Sequence, residues 1–225
     1  MNPSNSLVGN FQLLGACRKA RQESENILQS YIGVKAFQTR RFENDYSDLL
    51  TESEFASALQ FFLEELYGPK DFSERDRQFE RIAPAVSELF PPEVMRTVED
   101  LVELHALSES LDLAMAREVS HPSGGIDIEH YRVAWQKLDC AVERQRQLDL
   151  VLSLGTQLGA LTRKRVLRRM LGMMRIPARM AGLGDLQAFL ERGFDSFSGI
   201  RSSAALMSII RMRESTFLQA MNDAV

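Results

Sequence analysis

Apolar residues recur every three or four positions along most of the chain, which is the spacing of one face of an α-helix. The pattern predicts a first helix over about residues 8–42 and a second from Thr51, where Thr51 and Glu54 have capping-box spacing. Asp127 is expected to cap a long helix to about residue 161, and Pro177 to end the helix that follows it. We therefore predict an all-α, multi-helix bundle of about seven to nine helices.

The chain is long enough for one sizeable core, since 44% of its 225 residues are apolar and 26% are charged. We expect a single helical domain over residues 1–225, with residues 176–225 as a smaller C-terminal helical cap. Cys17 and Cys140 lie far apart and match no metal or redox spacing, which favours reduced thiols and a cytoplasmic protein. The longest uncharged run in the helical body of the chain, Leu150 to Thr162, is too short and too polar to span a bilayer.

Four segments of the sequence are distinctive: "YSDLL" (46–50), "FFLEELYGPKDFSERD" (61–76), "LHALSESLDLAMA" (104–116) and "GLGDLQAFLERGFDSF" (182–197). They resemble an uncharacterised family of proteobacterial all-helical proteins. The resemblance covers nearly the whole chain. The resemblance implies a helical fold and a bacterial origin, and it implies no particular activity.

Charge is sorted by position along the chain. Residues 42–112 hold five Lys and Arg against eighteen Asp and Glu, whereas residues 163–179 hold seven Lys and Arg and no acid. On a helical wheel, Val166, Met170 and Met173 fall with other apolar residues within an arc of about 160°. Five basic residues lie opposite: Lys164, Arg165, Arg168, Arg169 and Arg175. This segment is a basic amphipathic helix.

The basic helix has four interpretations. It packs on the core and its basic face is solvated or pairs with the chain's own acids, or it docks on an acidic partner protein or second copy. It also suits an anionic membrane surface, although Trp and Phe anchors are missing. Nucleic acid is disfavoured because no aromatic residues interleave the Arg cluster and the rest of the chain is acidic. The five basic residues are therefore predicted as an interaction surface.

Polar residues fall on faces where apolar ones are expected. His105, Ser108 and Asp112 lie within the apolar stripe of the fourth predicted helix, with Glu109 at its edge. Asp149 lies on the predicted core face of the next helix, and Glu65 lies between Phe61 and Phe62. Buried without partners, such groups would cost about 1–3 kcal/mol each. Five of them are candidate ligands for a metal or small polar molecule: Glu65, His105, Glu109, Asp112 and Asp149.

The same polar residues also fit a purely structural hydrogen-bond network, or a misphased helix. Dinuclear carboxylate bundles use paired Glu-x-x-His motifs, which this chain lacks. No catalytic residue is assigned, because no nucleophile elbow and no Gly-rich phosphate loop is present. We expect a non-enzymatic scaffold or protein-interaction module, with no cofactor favoured. The alternative is a metal- or ligand-binding bundle, including an oxidoreductase, that uses the buried polar residues.

Overall fold

The computed structural model describes residues 7–67, 72–89, 91–119 and 125–223. Within these ranges the chain forms eleven α-helices and one π-helical turn, and no strand. The helices are α1 Leu7–Arg21, α2 Glu25–Asp45, α3 Ser47–Leu50, α4 Ala56–Phe62, α5 Ser73–Leu89, α6 Pro92–Glu118, α7 Ile128–Leu138, α8 Ala141–Leu161, α9 Arg165–Met180, α10 Gly184–Ser198 and α11 Ser203–Asn222; the π-helical turn is Leu63–Tyr67. The all-α prediction is confirmed, and the predicted helix count was too low.

Two long predicted helices are each divided. The first is interrupted before Ser24, whose extended backbone starts α2. The second is interrupted at Asp139, which has a φ of 47°. An L-residue in this left-handed conformation cannot continue a right-handed helix, so α8 begins in a new rotational phase. Asp127 does cap α7, since its side chain accepts a hydrogen bond from the His130 backbone amide.

Two predicted helix boundaries were wrong. Residues 51–55 form turns, and Thr51 donates a hydrogen bond to the Asp48 carbonyl instead of capping a helix. Glu54 accepts hydrogen bonds from the backbone amides of Arg201 and Ser202, so it binds the backbone just before α11. Further along the chain, α9 continues through Pro177, an exposed position where water can reach the carbonyl that proline leaves without a donor.

The long helix α6 organises the fold, because it packs against α1, α2, α7 and α8. In turn α8 packs against α11, while α10 packs against α4, α5 and α9. The main core contains aromatic side chains from α4 and α10, namely Phe61, Phe62, Phe189 and Phe197. A smaller core joins α2, α7 and the end of α11 around Tyr131 and Trp135. None of the helices in the described ranges is both long and apolar enough to cross a bilayer.

Candidate functional site

A buried carboxylate, Glu109 on α6, lies at the centre of one polar network. It accepts hydrogen bonds from the Tyr31 hydroxyl at 2.7 Å and the Lys35 ammonium at 2.8 Å, both on α2. Arg21, at the end of α1, donates at 3.0 Å. Burial by itself raises the pKa of the Glu109 carboxyl, but the charges of Lys35 and His105 and these hydrogen bonds outweigh burial and lower it to about 2. Glu109 is therefore ionised.

Asp112 extends this network one helical turn along α6. It lies 3.4 Å from the Lys35 ammonium and accepts a hydrogen bond from Gln38 at 2.8 Å. Gln38 also donates to the Tyr131 hydroxyl at 3.1 Å, which connects α7. We call Arg21, Tyr31, Lys35, Gln38, Glu109, Asp112 and Tyr131 the Glu109 network. It ties α1, α2 and α7 to α6 through groups that are largely shielded from water.

Glu109, Tyr31 and Lys35 are held in their ordinary charge states. Burial and the nearby Glu109 carboxylate raise the pKa of the Tyr31 phenol. Burial lowers the pKa of the Lys35 ammonium, but Asp112 and Glu109 outweigh burial and raise it. A general acid or base works best with a pKa near the operating pH, whereas these three pKa values move away from neutrality. The arrangement stabilises charge and shows no tuning for proton transfer.

His105 belongs to a second cluster, centred on Asp76 at the start of α5. The His105 Nε2 atom lies 3.0 Å from one Asp76 oxygen, and Arg18 lies 3.2 Å from that same oxygen. Arg75 binds the other oxygen at 3.2 Å. Burial by itself raises the pKa of the Asp76 carboxyl, but His105 and Arg75 outweigh it and lower this pKa. His105 thus joins α6 to α5 and α1 through one carboxylate.

Glu65, in the π-helical turn, forms a third group. Arg192 on α10 binds its carboxylate at 2.8 Å, and Arg75 donates to its backbone carbonyl at 2.9 Å. The Arg75 guanidinium also lies over the rings of Phe72 and Phe189, at 4.3 and 4.6 Å. This geometry desolvates the cation between two aromatic faces. Burial accordingly lowers the pKa of Arg75.

The prediction that Asp149 faces the core was wrong. Asp149 is exposed on α8 and accepts a hydrogen bond from Gln145. The physical reason is the interruption at Asp139, which rotates α8 relative to α7 and turns Val142, Gln145 and Asp149 toward water. Ser108 on α6 is half-buried and accepts a hydrogen bond from Gln147 of α8 at 2.7 Å.

The five predicted ligands therefore fall into separate groups, and cations neutralise the buried carboxylates. Within the described ranges, no three His, Cys, Asp or Glu residues lie close enough to hold a metal ion. The arrangement of Glu65, His105, Glu109 and Asp112 is that of ion pairs and hydrogen bonds between helices. A ligand held jointly by the five residues stays a prediction that this geometry does not favour.

The predicted basic surface divides into paired and unpaired residues. Arg168 and Arg175 bind Asp195 and Glu191 of α10, at 2.8 and 2.6 Å. Lys164, just before α9, binds Glu93 of α6 at 2.5 Å. Among the described residues, the other two members of the predicted surface, Arg165 and Arg169, have neither an ion pair nor a hydrogen bond and are exposed.

Part of the apolar surface of α9 is exposed, although Leu167, Met170 and Leu171 of the predicted apolar arc are half-buried. Val166, Met173, Ile176 and Met180 are 61%, 70%, 72% and 85% exposed. At 100° per residue they lie with Arg169 within an arc of about 80°. Ala178, which is buried, lies nearly opposite, on the side that contacts α10. We call Val166, Arg169, Met173, Ile176 and Met180 the α9 outer face.

Several residues that carry these sites were missed in the sequence. Tyr31, Lys35, Gln38 and Phe42 fall within an arc of about 60° on α2, so Lys35 lies on the buried face of that helix. This wheel position was a usable signal. Asp76 lies in the first turn of α5, where any carboxylate suits the helix dipole, and nothing in the local sequence distinguishes that role from its buried pairing with His105.

The fold and these sites define an all-helical protein with a buried ion-pair network and an exposed amphipathic helix. Among known families, the one described as a domain of unknown function, DUF8198, matches residues 17–224. The chain belongs to this family. No curated protein and no solved structure matches the chain. The family carries no assigned activity, so the function must be argued from the sites themselves.

Proposed function

We propose that this protein is a non-enzymatic interaction protein that assembles with copies of itself through the α9 outer face. The observation that carries the proposal is the exposure of four large apolar side chains on one side of a single helix. Scattered exposed apolar residues are common, but a contiguous exposed stripe marks a surface that another molecule covers. The stripe runs from Val166 to Met180, which corresponds to about 21 Å of helix.

The arginines beside the apolar stripe of α9 indicate that the partner surface is acidic. Arg169 lies within the α9 outer face, and the exposed Arg165 lies beside it. The cations of α9 that are already paired, Arg168 and Arg175, lie toward α10. Arg165 and Arg169 therefore border the apolar stripe, where a partner's carboxylates would meet them.

The surface around the α7–α8 junction has the matching chemistry. Val133 and Val142 are 65% and 79% exposed. Asp139 and Glu143, which lie beside Val142 in the sequence, are exposed and have no ion pair among the described residues. A second copy of this chain thus offers an apolar and acidic surface to an apolar and basic one. Because the two surfaces differ, the assembly grows head to tail, as rings or filaments.

Light scattering after size-exclusion chromatography tests this assembly directly. We expect the mass of the wild-type protein to rise with concentration at low salt, and to fall toward the monomer as NaCl screens the ion pairs. Met173→Glu places a carboxylate in the stripe and is expected to abolish assembly. Met212→Glu is the matched control, because Met212 is also well exposed, at 62%, but lies on α11.

Charge-reversal variants give a second test of self-association. Arg169→Glu is expected to weaken assembly, and adding Glu143→Arg to the same chain is expected to restore it, because the swapped pair regains complementary charge. A wild-type protein that stays monomeric at every concentration and salt would overturn the proposal. So would a monomer that binds phosphatidylserine vesicles but not phosphatidylcholine ones, since the α9 outer face would then be a membrane-binding surface.

We further propose the bacterial cytoplasm as the setting of this protein. The origin is supported by the resemblance of its four segments to a proteobacterial family. The compartment is supported by Cys17 and Cys140, which are both free thiols. Burial raises the pKa of the Cys17 thiol, which keeps it protonated and unreactive.

A further inference from the structure

A cavity of about 50 Å³ lies between α2, α4, α8 and α11. Most of its wall is apolar and includes Phe62, Val151 and Ile210. The polar groups that line it come from Tyr46, Arg144, Gln147 and Glu214. A water needs about 10–15 Å³ of such space, so the cavity has room for three or four waters or for one small organic molecule.

Arg144 of α8 is the unusual group in this wall. Three basic residues are buried in the described chain: Lys35, Arg75 and Arg144. Lys35 and Arg75 both bind carboxylates, at 2.8 Å and 3.2 Å. Arg144 is 5% exposed, yet it forms no ion pair among the described residues.

The groups that do contact Arg144 are neutral. Its guanidinium donates a hydrogen bond to the side-chain amide oxygen of Gln147 at 3.3 Å and stacks over the Trp135 ring, 4.4 Å from the ring centroid. Neither contact supplies a negative charge. A buried cation without a counter-charge is costly, and proteins normally pair such a group with an anion.

Glu214, the carboxylate in the cavity wall, binds residues other than Arg144. Glu214 accepts two hydrogen bonds from Arg41, at 3.1 and 3.0 Å, and one from the Tyr46 hydroxyl at 2.8 Å. Arg41 also binds Asp45 at 3.1 Å, so the two carboxylates share it. Among the described residues, the cavity is therefore lined by one guanidinium, that of Arg144, that no carboxylate contacts directly, in a wall that is otherwise mostly apolar.

We propose that this cavity binds a small aliphatic monocarboxylate. The carboxylate group pairs with the Arg144 guanidinium, whose planar donors match two carboxylate oxygens. The hydrocarbon chain lies against Phe62, Val151 and Ile210. The volume limits this chain to a few carbons, and the apolar wall disfavours a fully hydrated ion such as phosphate. The site is separate from the α9 outer face and does not depend on self-association.

The chain contains its own reporter for this site. Trp135 is the one tryptophan in the sequence, and it stacks directly on Arg144. We therefore expect sodium butyrate, titrated at constant ionic strength, to change tryptophan fluorescence saturably, with a dissociation constant of about 1 mM or somewhat weaker. Acetate should bind at least threefold more weakly than butyrate, because it lacks most of the hydrocarbon chain.

The comparison ligands and variants make the test decisive. Butylamine and inorganic phosphate are expected to give no saturable change, since one carries the wrong charge and the other has no apolar part. Arg144→Gln should weaken butyrate binding at least tenfold, with butyrate-induced thermal stabilisation lost in parallel. Val151→Phe fills the cavity, keeps Arg144 and should also weaken binding.

Any of three results would overturn the proposal. The first is wild-type protein with no saturable response to butyrate up to about 50 mM, a concentration well above the expected dissociation constant. The second is equal binding of phosphate and butyrate, which would indicate an anion site without an apolar subsite. The third is unchanged butyrate binding in both Arg144→Gln and Val151→Phe, because the response would then arise elsewhere. The first two results need only the wild-type protein, so they decide the matter even if a variant fails to fold.

Discussion

Lys35 in the Glu109 network and Arg175 on α9 make the same kind of contact. Each cation binds a glutamate on a neighbouring helix, Lys35 at 2.8 Å to Glu109 and Arg175 at 2.6 Å to Glu191. They differ in their access to water, because the Lys35 side chain is 4% exposed and the Arg175 side chain is 53% exposed. The shorter of the two contacts is therefore the more hydrated one.

This difference shows that burial, more than distance, decides what an ion pair contributes. When an exposed pair is broken, both charges are rehydrated, so such pairs contribute about 0–1 kcal/mol. When one partner of a buried pair is removed, the other charge stays in a poorly solvated place. The Glu109 network accordingly fixes how α1, α2 and α6 pack. The ion pairs of α9 exchange readily with water, and they suit a helix whose other side is offered to another molecule.

The largest expected effect comes from removing the shared cation of the network. Lys35→Met leaves Glu109 and Asp112 without the ammonium that both contact. We expect a loss of about 3–5 kcal/mol in the free energy of unfolding, which is typical of breaking a buried ion pair. Urea denaturation followed by circular dichroism measures this loss.

The matched control lies on α9. Arg168→Met removes an exposed ion pair with Asp195 and is expected to change the free energy of unfolding by no more than about 0.5 kcal/mol. If the two variants lose similar amounts, burial is not what distinguishes the two regions, and the comparison fails.

The pH dependence of stability tests the same difference between buried and exposed ion pairs, and the expected change in stability is smaller. The pKa of Glu109 is lowered from its ordinary 4.5 to about 2 in the folded protein. A lowered carboxyl pKa stabilises the fold above the unfolded pKa, and this stability is lost as pH falls through the folded pKa. Glu109 should thus contribute about 3 kcal/mol that is present above pH ~5 and lost as pH falls toward 2.

Replacing the carboxyl separates this contribution from the rest of the molecule. Glu109→Gln should flatten the fall of stability between pH ~5 and ~2. A residual slope is expected from Asp76, whose pKa is also lowered, with burial opposing its partners His105 and Arg75. Glu191→Gln should change the profile much less: the hydrogen bond from Arg175 lowers the pKa of Glu191 too, but water screens this pair because Arg175 is exposed. The assignment to Glu109 is wrong if Glu191→Gln flattens the profile as much as Glu109→Gln does.

The sequence predicts the all-α class and the inward position of four ionisable residues because both follow from the helical repeat. Glu65, His105, Glu109 and Asp112 are all buried in the structure. Their partners were not predictable in the same way, because Lys35, Arg75 and Arg192 come from other helices and only tertiary packing brings them near. Predicting which residues pair therefore requires the tertiary structure, whereas predicting which residues are buried requires only the rotational phase of one helix.

The errors have local causes. A single left-handed residue, Asp139, resets the phase of α8, so one helical wheel drawn through residues 127–161 misplaced Asp149. For α9 the wheel grouped Val166 and Met173 with other apolar residues, but Arg169 lies beside them in the α9 outer face and not opposite them. A wheel cannot show how much of an apolar side a neighbour covers, and here Leu167, Met170 and Leu171 are half-buried while the outer face stays exposed.

Replacing glycine by alanine gives the smallest expected effect. The change in the free energy of unfolding should have opposite signs at the contact between α8 and α11 and on the surface of α9. Gly159 lies on α8 where α11 approaches closely, so a Cβ atom there would be 2.6 Å from the Ser203 Cβ. Gly159→Ala must push the two helices apart and is expected to cost about 1–3 kcal/mol. Gly172 lies on α9, and a Cβ atom there meets nothing within 4 Å. Gly172→Ala should instead stabilise the protein by about 0.5–1 kcal/mol, because alanine loses less backbone entropy in a helix.

Thermal denaturation of the two alanine variants measures both signs against the same wild type. If Gly172→Ala is destabilised at a concentration where the protein is monomeric, another part of the same chain already covers that side of α9, which would contradict the exposure on which the self-association surface depends. A neutral Gly159→Ala protein would mean that α8 and α11 can move apart freely. In that case the cavity beside Arg144, which α8 and α11 help to form, would not have a fixed shape either.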